Sequence, residues 1–307
     1  MISIIIPTYN AEEYLDVLLK KLLTQTIFEY ELIIIDSSSK DDTVKLAKNY
    51  TDNVIVIPQS AFDHGGTRTQ AAKLAKGSIL VFLTQDALPL NVKSIKKLVD
   101  VFKDKTIGAA YGCQLPYPET NLFGKHLRQF NYSDTPYIRT IKDKRQFGIK
   151  TAFLSNSFAA YRCSAMDEIS WFKDGLILGE DTYAGAKLLK AGYKLAYVAD
   201  AKVYHSHSYT VWQEFKRYFD IGVFHKMEAW TLEEFGKPNG EGLLYIKSEF
   251  NYLMNNKAYF LIPEFLIRNS MKLLGYKIGL HYTILPHKMI KIFSMHHRWW
   301  NKFWKNN

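Results

Sequence analysis

Apolar residues in the first hundred positions alternate between short unbroken runs and stretches where they recur every three or four places. Residues 2–6 are Ile except for Ser3 and stop at Pro7. Residues 32–35 run to Asp36, residues 54–57 form a third run, and residues 79–83, entered from Gly77, lead to Asp86 and Pro89. Runs of this length closed by Pro or an acidic residue predict strands buried on both faces. Between them lie helical patterns. From Asn10, with Glu13 three residues on as in a capping box, Leu15, Leu18, Leu19, Leu22 and Leu23 share one face. Asp41 and Asp42 fall in the expected first turn of a second helix, where carboxylates suit the helix dipole. A third helix is expected over 66–75 with Gly77 as its stop, and a fourth turns Val92, Ile95, Leu98, Val99 and Phe102 inward. Further along, residues 182–191 predict a helix after Glu180 and Asp181, and residues 193–204 predict a strand pair ending at His205-Ser206-His207. The alternation predicts a parallel, doubly wound α/β sheet with right-handed crossovers.

In such a sheet the strand ends meet at one edge, where open α/β sheets bind their ligands. That edge collects Pro7-Thr8-Tyr9-Asn10, Asp36-Ser37-Ser38-Ser39 and Thr84-Gln85-Asp86, with His64, Gly65 and Arg68 following the third strand. No G-x-G-x-x-G follows the first strand and no Gly-rich turn ends in Lys-Ser or Lys-Thr, which excludes the usual dinucleotide and P-loop sites. Two carboxylates, several hydroxyls and an Arg suit a nucleotide bound partly through a metal. Asp86 is a candidate ligand for a hard cation, Mg²⁺ or Mn²⁺, although a strand-end Asp serves equally as a turn former or helix cap. Arg68 is a candidate contact to a diphosphate or base, or else a helix-surface charge. The Gly65-Gly66 pair allows close backbone approach. Asp181 fits a helix cap as well as a base, and His205 and His207, two apart on a strand, point the same way.

Charge changes the picture mainly at the C-terminus. The 307 residues carry a formal net charge of +10, and the stretch 265–307 holds eight of the 40 Lys and Arg (Arg268, Lys272, Lys277, Lys288, Lys291, Arg298, Lys302 and Lys305) and none of the 30 Asp and Glu. Phe293, Trp299, Trp300, Phe303 and Trp304 lie among them. This composition predicts attachment to an anionic membrane surface, against the alternative of an amphipathic helix packed on the main domain; nucleic acid is not expected as a partner. Two cysteines, Cys113 and Cys163, far apart, imply neither a disulfide framework nor a zinc site, in keeping with a reducing cytoplasm. The apolar N-terminus is too short for a signal peptide and no run approaches the roughly 20 apolar residues of a membrane span.

Taken together, Pro7-Thr-Tyr-Asn10, Asp36-Ser-Ser-Ser-Lys-Asp-Asp-Thr43, Phe62-Asp-His-Gly-Gly-Thr-Arg68, Leu83-Thr-Gln-Asp-Ala87, Tyr111-Gly-Cys-Gln-Leu-Pro116 and Ser155-Asn-Ser-Phe-Ala-Ala-Tyr-Arg162 resemble the family 2 inverting glycosyltransferases of GT-A fold. More narrowly, they resemble its bacterial rhamnosyltransferases of surface polysaccharide synthesis. The resemblance runs from Met1 to about His225. It implies a GT-A catalytic domain over 1–210 and a helical, basic region over 211–307 for membrane-surface, acceptor or homodimer contacts. It implies dTDP-β-L-rhamnose as donor and a saccharide acceptor carried on a polyprenyl diphosphate, with the enzyme peripheral at the inner face of the cell membrane. A UDP-hexose donor and a non-catalytic nucleotide-sugar-binding scaffold are the alternatives. Carried over by position, the Pro7–Asn10 turn, Asp36, His64, Gly65, Arg68, Gln85 and Asp86 bind the nucleotide sugar, with Asp36 at the pyrimidine edge. Asp181 deprotonates the acceptor hydroxyl, Glu180 orients the acceptor or its loop, and His205 or His207 joins Asp86 on the metal. Two departures stand out: Thr84 occupies the place of the first acid of D-x-D, and Ser37-Ser38 that of Asp-Gly.

Overall fold

The computed structural model describes residues 1–26, 29–237 and 240–306. The amino-terminal half alternates β1 (Ile2–Thr8), α1 (Glu12–Leu23), β2 (Tyr30–Asp36), α2 (Thr43–Lys48), β3 (Val54–Val56), α3 (His64–Leu74), β4 (Ile79–Leu83), the short β5 (Leu88–Pro89) and α4 (Ser94–Asp100). There follow β6 (Ile107–Leu115), α5 (Leu122–Asn131), β7 (Tyr137–Arg139), α6 (Lys144–Phe147), β8 (Phe158–Arg162), α7 (Cys163–Glu168), α8 (Glu180–Lys190) and β9 (Lys194–Tyr204). Six helices complete the chain: α9 (Val211–Met227), α10 (Ala229–Phe235), α11 (Glu241–Asn255), α12 (Ile262–Leu280), α13 (His287–Phe293) and α14 (His297–Asn306).

One sheet runs in the order β3-β2-β1-β4-β8-β6-β9-β5, with β7 also paired to β9. β3, β2, β1 and β4 are mutually parallel, as the apolar runs predict. Beyond β4 the sheet is mixed: β8 lies antiparallel between β4 and β6, β6 and β9 are parallel, and β5 and β7 run against β9. Side chains alternate across the strands, so Ile5, Ile33, Ile35 and Phe82 pack on one face with Ala71, Tyr161 and Leu188. Ile4, Ile6, Ile34 and Val81 pack on the other with Leu15, Leu18 and Leu19 of α1. Covering both faces leaves the strand ends as the exposed edge.

Several local expectations are corrected. α1 starts at Glu12 without a side-chain cap. Asn10 has φ +48°, tolerable for Asn, and its Oδ1 accepts from the Lys40 amide, joining the loops after β1 and β2. Asp41 and Asp42 precede α2 rather than opening it; Asp41 accepts from the Thr43 amide and hydroxyl and from the Glu12 amide. α3 begins at His64, two residues before the expected start, and ends at Leu74 with Ala75 as its cap. Val92 lies outside α4 and is 43% exposed. Residues 194–204 form one strand rather than a pair, with a register shift against β6 between Gly112 and Cys113. α8 begins two residues earlier than expected, at Glu180, because Gly179 takes φ +80° and turns the chain into it.

Candidate active site

The loops after β1 and β4 are tied together by one amide. Gln85 Oε1 accepts from the Tyr9 amide at 2.9 Å and Gln85 Nε2 donates to the Tyr9 carbonyl at 3.3 Å. Pro7, Thr8, Tyr9, Gln85 and Asp86 therefore line one cavity of about 820 Å³, together with Glu180, Asp181, His205 and His207. Asn10 stands outside it, engaged with Lys40 as described. Asp36 is fully buried, with its carboxylate accepting from Thr8 Oγ1 at 2.8 Å and from the Ser39 hydroxyl and amide at 2.6 and 2.8 Å. It braces the edge from below; Ser37, its neighbour, reaches the adjoining cavity instead.

Asp86, His205 and His207 form a cluster whose ligand atoms all lie within 4.8 Å of one another. His205 Nε2 is 3.5 Å from Asp86 Oδ1, and His207 Nε2 is 3.9 Å from Asp86 Oδ2. The tautomer of the first is fixed by Gln114 and Ser155, which the sequence motifs contain but leave without a role, and by Arg128, which lies outside them. Arg128 donates to Gln114 Oε1 at 2.6 Å, and Gln114 Nε2 donates to Ser155 Oγ at 2.8 Å, so the oxygen of this amide faces Arg128. His205 Nδ1, 2.8 Å from the same oxygen, must then carry its proton. That leaves the Nε2 lone pair aimed at the Asp86 side. Burial, opposed by Asp86, pushes His205 down to about 3, and burial also lowers His207. Two neutral imidazoles and a carboxylate make a donor set that fits a divalent cation.

In the same cavity, Glu180 and Asp181 occupy the first turn of α8 and are driven apart in acidity. Burial raises Glu180, but Arg68 at 3.2 Å, then His64 and Asn156, outweigh it and hold the carboxyl below its ordinary range. Asn156 Nδ2 donates to Glu180 Oε1 at 3.0 Å, and its own oxygen accepts from Tyr161 at 2.7 Å. Asp181 has no cation of its own: burial first and the Glu180 charge second raise it to about 7. It keeps only two backbone donors, Thr182 at 2.7 Å and Asn156 at 3.2 Å. The cap role expected of Asp181 is corrected: Gly179 is the N-cap of α8, and the Asp181 bond to the Thr182 amide lies within the first turn. A carboxyl of this acidity is suited to taking a proton near neutral pH.

Arg68 lines the cavity and is not the helix-surface charge that was the alternative for it. It is 6% exposed, donates to the His64 carbonyl at 2.8 Å and pairs with Glu180 at 3.2 Å. Gly65 is corrected as well: the close approach it permits is to the Lys173 carbonyl, only 2.0 Å from where a Cβ would stand, and its amide is capped by Asp63 Oδ1 at 3.0 Å. His64 does face the cleft, with its ring edge-on to Phe62 and to His296 at 5.1 and 5.3 Å. The expected tail aromatics also turn out differently. Trp300 is fully buried among Leu176, Ile177, Phe219 and Phe224, with Trp299, Phe303 and Trp304 packed against that cluster.

The description "Glycosyl transferase family 2" matches residues 3–170 of the chain. The chain is 45% identical to "O-antigen chain rhamnosyltransferase RfbN" of Salmonella typhimurium, covering 98% of this chain and 96% of that protein. It is 45% identical to "O-antigen chain rhamnosyltransferase WbaN" of Salmonella anatum, covering 97% and 95%. Among solved structures, "Mannosyltransferase PcManGT from Pyrobaculum calidifontis in complex with GDP-Man and Mn2+" superposes with a TM-score of 0.58 at 15% identity over 100% of this chain and 88% of that one. The S. aureus TarS 1–349 complex with UDP-GlcNAc gives 0.55 at 18% identity, over 92% and 91%. At such identities these two likenesses concern the fold.

Proposed function

This chain belongs to glycosyl transferase family 2, and on that premise we propose that it moves L-rhamnose from dTDP-β-L-rhamnose to a lipid-linked saccharide, inverting the anomeric centre. The observation that carries the mechanism is that one cavity is lined both by the Asp86, His205 and His207 cluster and by a basic Asp181. The rhamnosyltransferase relatives, alike over nearly the whole chain, support the choice of sugar. In the reaction Asp181 takes the proton of the acceptor hydroxyl, whose oxygen bonds to C1 of the donor sugar as the bond from C1 to the diphosphate oxygen breaks. Entry and departure on opposite faces turn a β-linked donor into an α-rhamnoside. Glu180, kept ionised by Arg68, contributes a fixed negative charge that keeps Asp181 basic. Asp86, His205 and His207 would hold Mg²⁺ or Mn²⁺, whose chemistry is to offset the charge gathering on the departing dTDP. The two imidazoles compensate for the missing acid at Thr84, so the departure from D-x-D does not leave Asp86 alone.

The discriminating assay follows nucleoside diphosphate release from a panel of nucleotide sugars with a polyprenyl-diphosphate-linked acceptor. dTDP-rhamnose is expected to be turned over in preference to the UDP-hexoses. Preference for a UDP-hexose overturns the donor, and absence of turnover with every donor returns the chain to a binding scaffold.

No helix among the described residues is long and apolar enough to cross a membrane. Attachment at the cytoplasmic face of the cell membrane is proposed instead for α11 and α12, where Leu243, Leu244, Phe250, Leu266, Leu273 and Leu274 are exposed. Exposed Lys247, Lys277 and Lys288 lie in the same region, and the stretch from Phe265 onward lacks carboxylates, which matches anionic headgroups. Liposome flotation is expected to carry the protein up with anionic vesicles and not with neutral ones, and Leu243→Ser with Leu266→Ser is expected to abolish it. A chain that stays at the bottom and sediments as a dimer assigns these faces to a second copy.

A further inference from the structure

Beside the cleft lies a second cavity of about 780 Å³ that shares Tyr9, Phe62, His64 and His296 with the first. Its floor is the strand-end edge, through Tyr9, Ser37 and Gln59, and its outer wall is α14. α14 has two faces. Trp300 and Trp304 anchor it, the first fully buried and the second stacked on His287 at 4.0 Å. The Trp299 indole donates to the Gly175 carbonyl at 3.2 Å, and the turn before the helix is tied by the Met295 amide to Asp220 Oδ2 at 2.8 Å. The other face carries Arg298, Lys302 and Lys305, spaced i, i+4 and i+7, and all three line the cavity. The carboxylate in that lining, Asp63, is already occupied: it accepts from the Gly65, Gly66 and Gly175 amides at 3.0, 2.7 and 2.9 Å. Arg298 lies over the Tyr9 ring at 5.8 Å, which points its guanidinium into the cavity from a fixed support.

We propose that the basic stripe of α14 is the outer wall of the donor site, with Arg298 and Lys302 binding the anionic part of a nucleoside diphosphate seated on the Tyr9 edge. This rests on the reading that the strand-end edge takes the donor nucleotide. It gives the C-terminal charge a ligand inside the protein, and makes the last helix part of the catalytic domain's binding surface. The aromatic face fixes α14 in place, so its cations are held ready before the ligand arrives.

Calorimetric titration with dTDP, UDP and the uncharged nucleoside thymidine, at low and at high salt, tests this on the full chain. The variants are Arg298→Gln with Lys302→Gln, and, as a control of equal charge change away from both cavities, Lys93→Gln with Lys105→Gln. The stripe variant is expected to bind dTDP and UDP about tenfold or more weakly, with a flatter salt dependence, while thymidine affinity stays within twofold. Both substituted side chains are exposed, so the melting temperature should not move, and the control should bind like the wild type. A wild type that binds neither diphosphate overturns the nucleotide reading and this inference together. A wild type that binds, with the stripe variant within twofold of it or the control weakened equally, overturns the stripe alone.

Discussion

Asp181→Asn is expected to lower kcat by about 10²–10⁴-fold, the usual contribution of a positioned general base, while leaving dTDP affinity unchanged. The substitution keeps the shape and the stronger of the two backbone hydrogen bonds, through the single amide oxygen, and removes the proton acceptor. The remaining carboxylate cannot replace it, since Glu180 is tied to Arg68 at 3.2 Å and to Asn156 at 3.0 Å. The pH dependence is a second readout. Asp181 is raised from 3.8 to about 7, so the wild-type rate should climb with pH through about 7 as the carboxyl ionises. The stability effect runs the other way. A carboxyl whose folded pKa lies above its unfolded one favours the fold in its protonated form, and that contribution is lost as pH rises from about 4 through about 7. Asp181→Asn, which cannot ionise, should therefore lose less stability than the wild type as pH rises from about 4 through about 7, read as the change in melting temperature across that range. Full activity in this variant, or a pH profile without a rise near 7, removes Asp181 as the base.

The apolar runs made four parallel strands and their shared edge legible, because burial on both faces leaves a continuous signature in the chain. β8 left no such mark of direction. Its residues 158–162, Phe-Ala-Ala-Tyr-Arg, carry nothing that marks orientation, and the register that pairs Phe82 with Ala159 and Ile79 with Arg162 reveals that it runs backwards. Candidate chemistry divides in the same way. Asp86 and Asp181 stood out because each sits where a strand ends or a helix begins. The tuning of Asp181 did not, since Arg68 and Glu180 meet only through the fold and neither carries a local signal of the other. Gln114 and Arg128 are further examples: one lies on β6 and the other on α5, and their effect on His205 needs all three in place.

The tail shows why composition misplaces a surface. Five aromatics among basic residues suggested a face turned to headgroups, yet helical spacing sorts them onto opposite sides, and the side with Trp300 is buried. Exposed apolar residues gather instead on α11 and α12, whose Leu and Phe are unremarkable in composition. Hydrophobic periodicity says that a helix has a preferred face; it does not say which neighbour claims it.

Metal removal is expected to have the other large effect. With EDTA the wild type should lose dTDP-rhamnose turnover by about 100-fold or more, in line with several kcal/mol of charge stabilisation at the leaving group. Mn²⁺ should restore activity at lower concentration than Mg²⁺. Mg²⁺ prefers an all-oxygen octahedron, whereas the site offers two imidazole nitrogens and one carboxylate, a set that later first-row cations bind more tightly. Asp86→Ala and His205→Ala should each raise the Mn²⁺ concentration needed for half-maximal dTDP binding. Gln114→Leu should do so by about 10–100-fold without touching the metal, because it frees the His205 ring from the tautomer that its 2.8 Å hydrogen bond imposes. His207, about 38% exposed and 3.9 Å from Asp86, should matter less than His205, at 8% exposed and 3.5 Å. Titrations that coincide with and without EDTA would sink the metal role outright. An unchanged Gln114→Leu beside an impaired His205→Ala would leave the metal in place and discard the tautomer argument.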